Sequence, residues 1–236
     1  MFLRRAGAGV YMDRLVITID GPAGVGKSTA ARLLAARLGA VFLDTGAMYR
    51  AITLAALRYG VDPEDTEKVL DLFGRGRFEF RPGNDTMRVF IDGIEKTADI
   101  RRPDITEQVR HIASAPAIRE KLVAMQRDFA AQYKCIVSEG RDQGTVVFGD
   151  ARAKIFLTAD PVERAKRRCR ELAEAGKTIS LEKVLDDQQK RDASDRNRTV
   201  GPLKPAPDAI IVDTTGLDAK QTADELERIV RKRISG

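Results

Sequence analysis

Apolar residues along this chain fall into short blocks separated by polar turns. Five of them, Leu15-Val16-Ile17-Thr18-Ile19, Ala40-Val41-Phe42-Leu43, Cys135-Ile136-Val137-Ser138, Lys154-Ile155-Phe156-Leu157 and Ala209-Ile210-Ile211-Val212, are compact runs of strand length. Near-continuous apolar runs mark strands buried on both faces. Between them lie segments with helical signals: Lys27 to Leu38, Ala47 to Tyr59, and about Asp104 to Tyr133 with a break at Pro116. Val162 to Ala175 follows, entered through Pro161 and stopped by Gly176, then Leu181 to Arg191 and Thr222 to Arg233. The alternation predicts an α/β chain of three layers, a five-stranded parallel sheet covered by helices. It breaks between about Val61 and Ile100. There Phe78-Glu79-Phe80, the turn Pro82-Gly83-Asn84-Asp85 and Met87 to Gly93 alternate at period two, which predicts a small antiparallel insertion.

At 236 residues the chain has room for one decorated α/β domain or two small ones. No apolar run approaches the ~18 residues of a membrane span, so a soluble, cytoplasmic protein is expected. Met1 to Asp13 lacks an apolar leader region and reads as a disordered extension, with Met12 a plausible start. Cys135 and Cys169 have no metal-ligand spacing; both read as reduced thiols, Cys135 inside a buried strand. His111 is the only histidine. Histidine-based acid–base or zinc chemistry is thereby close to excluded, and His111 reads as a surface helix residue. Lys plus Arg exceed Asp plus Glu by six. These arginines cluster with acidic residues rather than in a basic tract, which favours phosphate ligands over nucleic acid.

The chemistry begins at Gly21-Pro22-Ala23-Gly24-Val25-Gly26-Lys27-Ser28, which fits the phosphate-loop pattern G-x-x-x-x-G-K-[ST] between a strand and a helix. Backbone N–H groups in such a loop cradle phosphate oxygens at a helix N-terminus. Lys27 then reaches the β- and γ-phosphates, and the Ser28 hydroxyl ligates Mg²⁺. Asp213-Thr214-Thr215-Gly216 imitates a GTPase switch but lies too near the C-terminus and lacks an N-K-x-D partner, so it reads as the loop leaving the last strand. Three charged clusters sit at strand ends or on a helix: Asp44-Thr45-Gly46-Ala47-Met48-Tyr49-Arg50, Ser138-Glu139-Gly140-Arg141-Asp142, and Arg191, Asp195 and Arg198 at i, i+4, i+7. Ligands of doubly wound sheets gather at the carboxyl ends of strands. Convergence of the three clusters there is expected, with the last on one helical face.

These motifs, in this order from about Arg14 onward, resemble the bacterial cytidylate kinases, a family of P-loop nucleoside monophosphate kinases: I-D-G-P-A-G-x-G-K-S, D-T-G-A-M-Y-R, Ile100-Arg101, a helix with Arg119, E-G-R-D-x-G-T-V-V-F and R-D-x-x-D-x-x-R. The resemblance implies phosphoryl transfer from ATP, with Mg²⁺, to CMP or dCMP. It implies a core over residues 14–60 and 134–236, a substrate-binding insertion over 61–133 and a mobile lid near 164–180. It implies ATP contacts from Gly21 through Ser28, with Thr29 and Arg167, and catalysis by Lys27, Arg141 and Arg198. Thr45, Tyr49 and Arg50 would line the acceptor phosphate pocket with Arg141 and Arg198, and Arg191 and Asp195 would meet the ribose. Arg119 and Asp142 would read the base: an ionised carboxylate attracts cytosine's amino donor and repels uracil's carbonyl, a mismatch of roughly 1–3 kcal/mol. Arg110 and Gln143 depart from the family pattern, which has a small serine and an apolar residue at these places.

A phosphomonoester is largely dianionic at neutral pH, so the acceptor needs no general base. Arg164, Arg167, Arg168 and Arg170 fall on the helix expected to close over the site and exclude water. Two other readings stay open at this point: a kinase of another small acceptor, and a P-loop regulatory or nucleic-acid-binding protein. The partners expected are ATP and CMP or dCMP, with no nucleic acid or membrane, bound by a monomer.

Overall fold

A computed structural model describes residues 14–83, 86–174 and 176–235. The N-terminal extension expected over Met1 to Asp13, together with Asn84 and Asp85 of the expected turn, lies outside the described residues.

The five apolar runs form β1 (Leu15–Asp20), β2 (Val41–Asp44), β6 (Cys135–Gly140), β7 (Ala153–Thr158) and β8 (Ile210–Asp213). They make one parallel sheet in the order β2-β6-β1-β7-β8. Helices α1 (Lys27–Leu38) and α8 (Ala219–Ser235) cover one face, burying Ala31, Leu34, Leu226 and Val230 against Ile17, Ile19 and Ile155. The other face takes α2 (Thr45–Arg58), and Met48, Ile52 and Ala55 pack there with Leu43 and Ile136. No helix among the described residues is long and apolar enough to cross a membrane.

The inserted segment is richer than a hairpin. It holds α3 (Thr66–Arg75), β3 (Phe78–Arg81), β4 (Arg88–Ile91), β5 (Ile94–Glu95), a 3₁₀ turn (Asp99–Arg101), α4 (Pro103–Ser114) and α5 (Pro116–Ala131). The three strands form a separate antiparallel sheet, β3-β4-β5. Ile91, Ile100, Ile105, Ile112 and Leu122 bury themselves in the same apolar cluster as α2, so the insertion is anchored on that helix. The helix α3 is absent from the pattern reading although Val69 and Leu72 are buried and Leu70 and Phe73 pack beside them, a short apolar stripe next to the period-two strands. Its N-cap, Asp65, accepts a bond from the Lys68 N–H. Pro116 separates α4 from α5 as expected, standing at the first position of the second helix.

Two boundaries move. Asp44 caps α2 through the Ala47 N–H at 2.9 Å, and the helix therefore starts at Thr45. The helix α7 runs over Leu181–Arg196, longer than its apolar residues indicate, because its buried face is polar: Gln188, Asp192 and Asp195 follow Val184 inward. Arg198 lies past its end, so the expected single helical face holds for Arg191 and Asp195 only. Arg198 joins them through an ion pair to Asp195.

The thiols of Cys135 and Cys169 are free. Cys135 is half-buried at the first position of β6 rather than inside the core. His111 is half-buried on α4, 3.1 Å from the Glu64 carboxylate, instead of standing free on the surface.

Strand register positions the chemistry. Asp20, the last residue of β1, is level with Gly140 of β6, and Glu139 is level with Asp44 of β2. Immediately after β1, Gly21 adopts φ 149° against the β7 backbone, where a Cβ would lie 2.4 Å from the Leu157 carbonyl oxygen. Replacing Gly21 with Ala is expected to cost ~2 kcal/mol through backbone strain and displacement of β7, read as a lower urea midpoint at unchanged m-value.

Candidate active site

The loop from Gly21 to Gly26 leads into α1, whose N-cap is Gly26. Lys27 is buried, and its Nζ donates to the Pro22 carbonyl at 2.6 Å. Its pKa is pushed down, first by burial and then by the nearby guanidinium of Arg141, with Arg191 adding to the effect. The P-loop lysine and the arginines of distant segments therefore occupy one electrostatic space. Ser28 donates its hydroxyl to Glu139 Oε1 at 2.8 Å, and Thr29 beside it is exposed at the start of α1.

Glu139 ends up beside the P-loop because β6 lies next to β1 in the sheet. Burial and the neighbouring Asp44 raise its pKa, while Lys27 and Ser28 pull it back. A hydroxyl and a carboxylate oxygen are the hard donors that Mg²⁺ prefers, usually alongside water and nucleotide phosphate oxygens. Ser28 and Glu139 fit such an ion; among the described residues no cluster of three or more His, Cys, Asp or Glu side chains forms a metal cage.

Opposite the P-loop, the three charged clusters do converge. Arg141 Nε is 2.8 Å from Asp195 Oδ2, and Arg198 pairs with the other oxygen of the same carboxylate. Arg191 is pushed down to about 10 by burial and then by Arg141, with Arg50 and Arg198 contributing, against the pull of Asp195. Arg50 is lowered by burial, and Arg101 and Arg141 oppose its charge as well. Arg198 is lowered by burial, with Arg119 and Arg141 acting against Asp195. Burial also disfavours the charge of Arg141, but Asp195 and Glu139 more than offset it and its pKa rises. Arg141, Arg191 and Arg198 thus gather around the Asp195 carboxylate, with Arg50 beside Asp44 and Glu139, an arrangement of like charges that a phosphate dianion would relieve.

The third part of the site is a buried ion pair between Arg119 of α5 and Asp142, just after β6. Arg119 Nη1 also donates to the Ala113 carbonyl, and its guanidinium lies 5.6 Å from the Tyr49 ring centre. Burial raises the Asp142 pKa, with Arg119 and Arg198 opposing. Thr45 is buried and donates to the Glu139 carbonyl at 2.7 Å, tying α2 to β6. Arg110 is exposed and bonds the His111 ring, at a cleft of about 380 Å³ that it shares with Glu64 and Ser194.

Several contributors escaped the sequence reading. The Asp20 carboxylate accepts the Gln143 and Gly144 N–H groups at 2.8 Å each, fixing a π-helical turn, Gln143–Val147, behind Asp142. Burial pushes the Asp20 pKa up to about 7 despite those bonds. Gly201, at φ 63°, passes so close to Arg119 and Asp142 that a Cβ would overlap both. Only its place in the loop after the arginine cluster could have signalled that. Glu139 was signalled by an acid at the carboxyl end of an apolar strand. Arg101 joins through Asp44 at 2.9 Å.

The helix α6 (Pro161–Glu174) reaches the P-loop from the other side. Arg164 is buried, pairs with Asp192 at 2.7 Å and donates to the Ala23 carbonyl. The segment expected to be a lid is therefore fixed at its start. Arg167 donates to the carbonyls of Thr214 and Thr215, and the Thr214 hydroxyl donates to Val25 of the P-loop. Arg167 thus braces the loop leaving β8, and Asp213 holds the turn by accepting from Thr215.

Residues 17–232 match the family model described as Cytidylate kinase. A cytidylate kinase of Rhodopirellula baltica is 45% identical over 220 residues, covering 93% of this chain and 94% of the relative. That of Limosilactobacillus reuteri is 44% identical, with 92% and 96% covered, and that of Mycolicibacterium paratuberculosis 45% identical, with 93% and 96% covered. A P-loop strand, an arginine cluster facing it and a similarity that runs through all three charged segments agree with one another: the chain belongs to the cytidylate kinase family.

Proposed function

We propose that the chain transfers the γ-phosphoryl group of ATP to CMP or dCMP, giving ADP and CDP or dCDP, as a cytoplasmic monomer. The observation that carries this reading is that Arg141 and Arg191 bear on Lys27 itself. A phosphoryl donor on the P-loop and an anionic acceptor among the arginines would then meet in one enclosed, cation-rich space.

The backbone from Gly21 to Gly26, with Lys27, Ser28 and Thr29, holds the ATP phosphates. Ser28 and Glu139 would hold Mg²⁺, which would neutralise negative charge on the phosphates. Arg50, Arg141 and Arg198 grip the CMP phosphate, with Tyr49 and Thr45 at the wall of its pocket. Arg191 and Asp195 serve the ribose, and Asp195 also holds Arg141 and Arg198 in place until the phosphate arrives. The acceptor oxygen already carries negative charge, so the work of the site is alignment and charge neutralisation. Lys27, Arg141 and Arg198 do that work in the transition state.

Selection of the base falls to Asp142, held by Arg119. Ionised Asp142 accepts a hydrogen bond from the cytosine amino group, whereas the uracil carbonyl would face it oxygen to oxygen. Arg167 serves ATP indirectly, by bracing the 214–217 loop against Val25. Residues 61–133 act as the substrate-binding unit, and the part of 164–180 beyond the Arg164 anchor closes over ATP to exclude water.

ADP release with Mg-ATP should be fast with CMP, weak with UMP and negligible without an acceptor; acceptor-independent hydrolysis alone would contradict the reading. Arg141→Met should lower kcat with CMP by about 10²–10³-fold without changing the thermal midpoint by more than a few degrees. Selectivity should depend on pH in one direction. Because burial holds the Asp142 pKa above the usual carboxylate range, lowering the pH protonates it and turns an acceptor into a donor. The ratio of kcat/KM for CMP over UMP should therefore fall on the acid side and level off at higher pH.

A further inference from the structure

Gln143 follows Asp142 directly and is only 1% exposed, an uncharged polar side chain buried alongside Ser138, Glu139 and Asp142 of the same segment. A buried amide is destabilising unless its donors and acceptor find partners. Gln143 finds three. Its Oε1 accepts the Ser138 hydroxyl at 2.8 Å. Its Nε2 donates to Gln126 Oε1 at 3.3 Å and lies 3.5 Å from Asp142 Oδ1.

The direction of that amide is fixed by chemistry. An ionised carboxylate only accepts, so the nitrogen and not the oxygen must face Asp142. Turning the amide over would set Oε1 against the Asp142 carboxylate, so Asp142 decides which end faces it. Ser138, fully buried on β6, can donate or accept and anchors the other end of the amide. On the far side, Arg119 holds the other carboxylate oxygen, Oδ2. Gln126 is fully buried too, and its side chain bears on the Tyr49 phenol.

We propose that Gln143 is a positioning residue for base selection, with Ser138 and Gln126 anchoring its side chain so that the amide holds the Asp142 carboxylate from the side opposite Arg119. This inference rests on the reading of Asp142 as the base-selecting group. The contact of 3.5 Å is long, so Gln143 acts mainly by fixing orientation and by presenting a donor dipole that favours the ionised carboxylate. The charged and titratable groups that face Asp142 are Arg119 from α5, Arg198 after α7, Asp20 from β1 and Tyr49 from α2. Beside them, the Gln143 amide presents a neutral donor to Oδ1.

Gln143→Met removes the amide at similar volume. kcat and KM for CMP and UMP, and the pH profile of kcat/KM for CMP, would be compared with those of the unaltered protein. The expected result is kcat for CMP within about twofold and a higher KM. The CMP over UMP ratio should fall about 3–10-fold, the loss of one weak interaction, and the acid limb should shift to higher pH. Ser138→Ala, which frees the amide without touching Asp142, should move the ratio in the same direction by less. It should add nothing in the Gln143→Met background, because the two act as one unit. An unchanged ratio and acid limb, or an equal loss for CMP and UMP, would overturn the proposal in favour of simple packing; if Gln143→Met does not fold, Ser138→Ala alone decides by the same criteria. Failure of the unaltered protein to prefer CMP over UMP would instead remove the role of Asp142.

Discussion

Lys27, Arg50, Arg141, Arg191 and Arg198 come close enough at the carboxyl ends of β1, β2 and β6 to oppose one another's charge. Packing like charges together and withdrawing them from water is unfavourable twice over. The fold tolerates it because acids are placed among them: Asp195 between Arg141 and Arg198, Glu139 near Lys27 and Arg141, Asp44 near Arg50. Those acids do not neutralise the site; they hold it in shape for anions of higher charge density. Much else follows from this constraint, including the polar buried face of α7 and the capping of α2 by the same Asp44 that pairs with Arg101.

Backbone amides supply a second layer of support. Both oxygens of Asp20 are occupied by the N–H groups of Gln143 and Gly144, so the turn behind Asp142 is tied to the strand that carries the P-loop. The P-loop and Asp142 thus share one rigid element. On the other side, Arg164 and Asp192 join α6 and α7 beneath Ala23, and Arg167 joins α6 to the loop after β8. The P-loop is braced from both flanks, while the rest of α6 is largely exposed and carries its ion pairs at the surface.

The parallel strands were legible because each is a compact apolar run; the insertion was legible because the pattern changed to period two. Helix α3 carries a helical signal as well, Val69, Leu72 and Phe73 behind the Asp65 cap, but it is short and lies beside the period-two pattern that dominates this segment. The length of α7 escaped for a different reason. A helix whose buried face consists of Gln188, Asp192 and Asp195 looks solvent-facing when apolar spacing is the criterion. The clustering of arginines at strand ends and around α7 was visible in the chain, yet nothing local reveals that Arg167 turns toward backbone carbonyls or that Arg110 turns toward His111.

Local sequence determined what local physics controls: the P-loop between an apolar strand and a helix, the strand runs, the break at Pro116, and the motif order that marks the family. Tertiary structure alone decided which charges meet. Asp20 faces Gln143 and Gly144, Ser28 faces Glu139, and Arg119 faces Asp142 across gaps of 123, 111 and 23 residues. Such pairings depend on strand order and register, with β6 inserted between β1 and β2. Once that order is set, the energy of a buried charge depends on neighbours that no window along the chain contains.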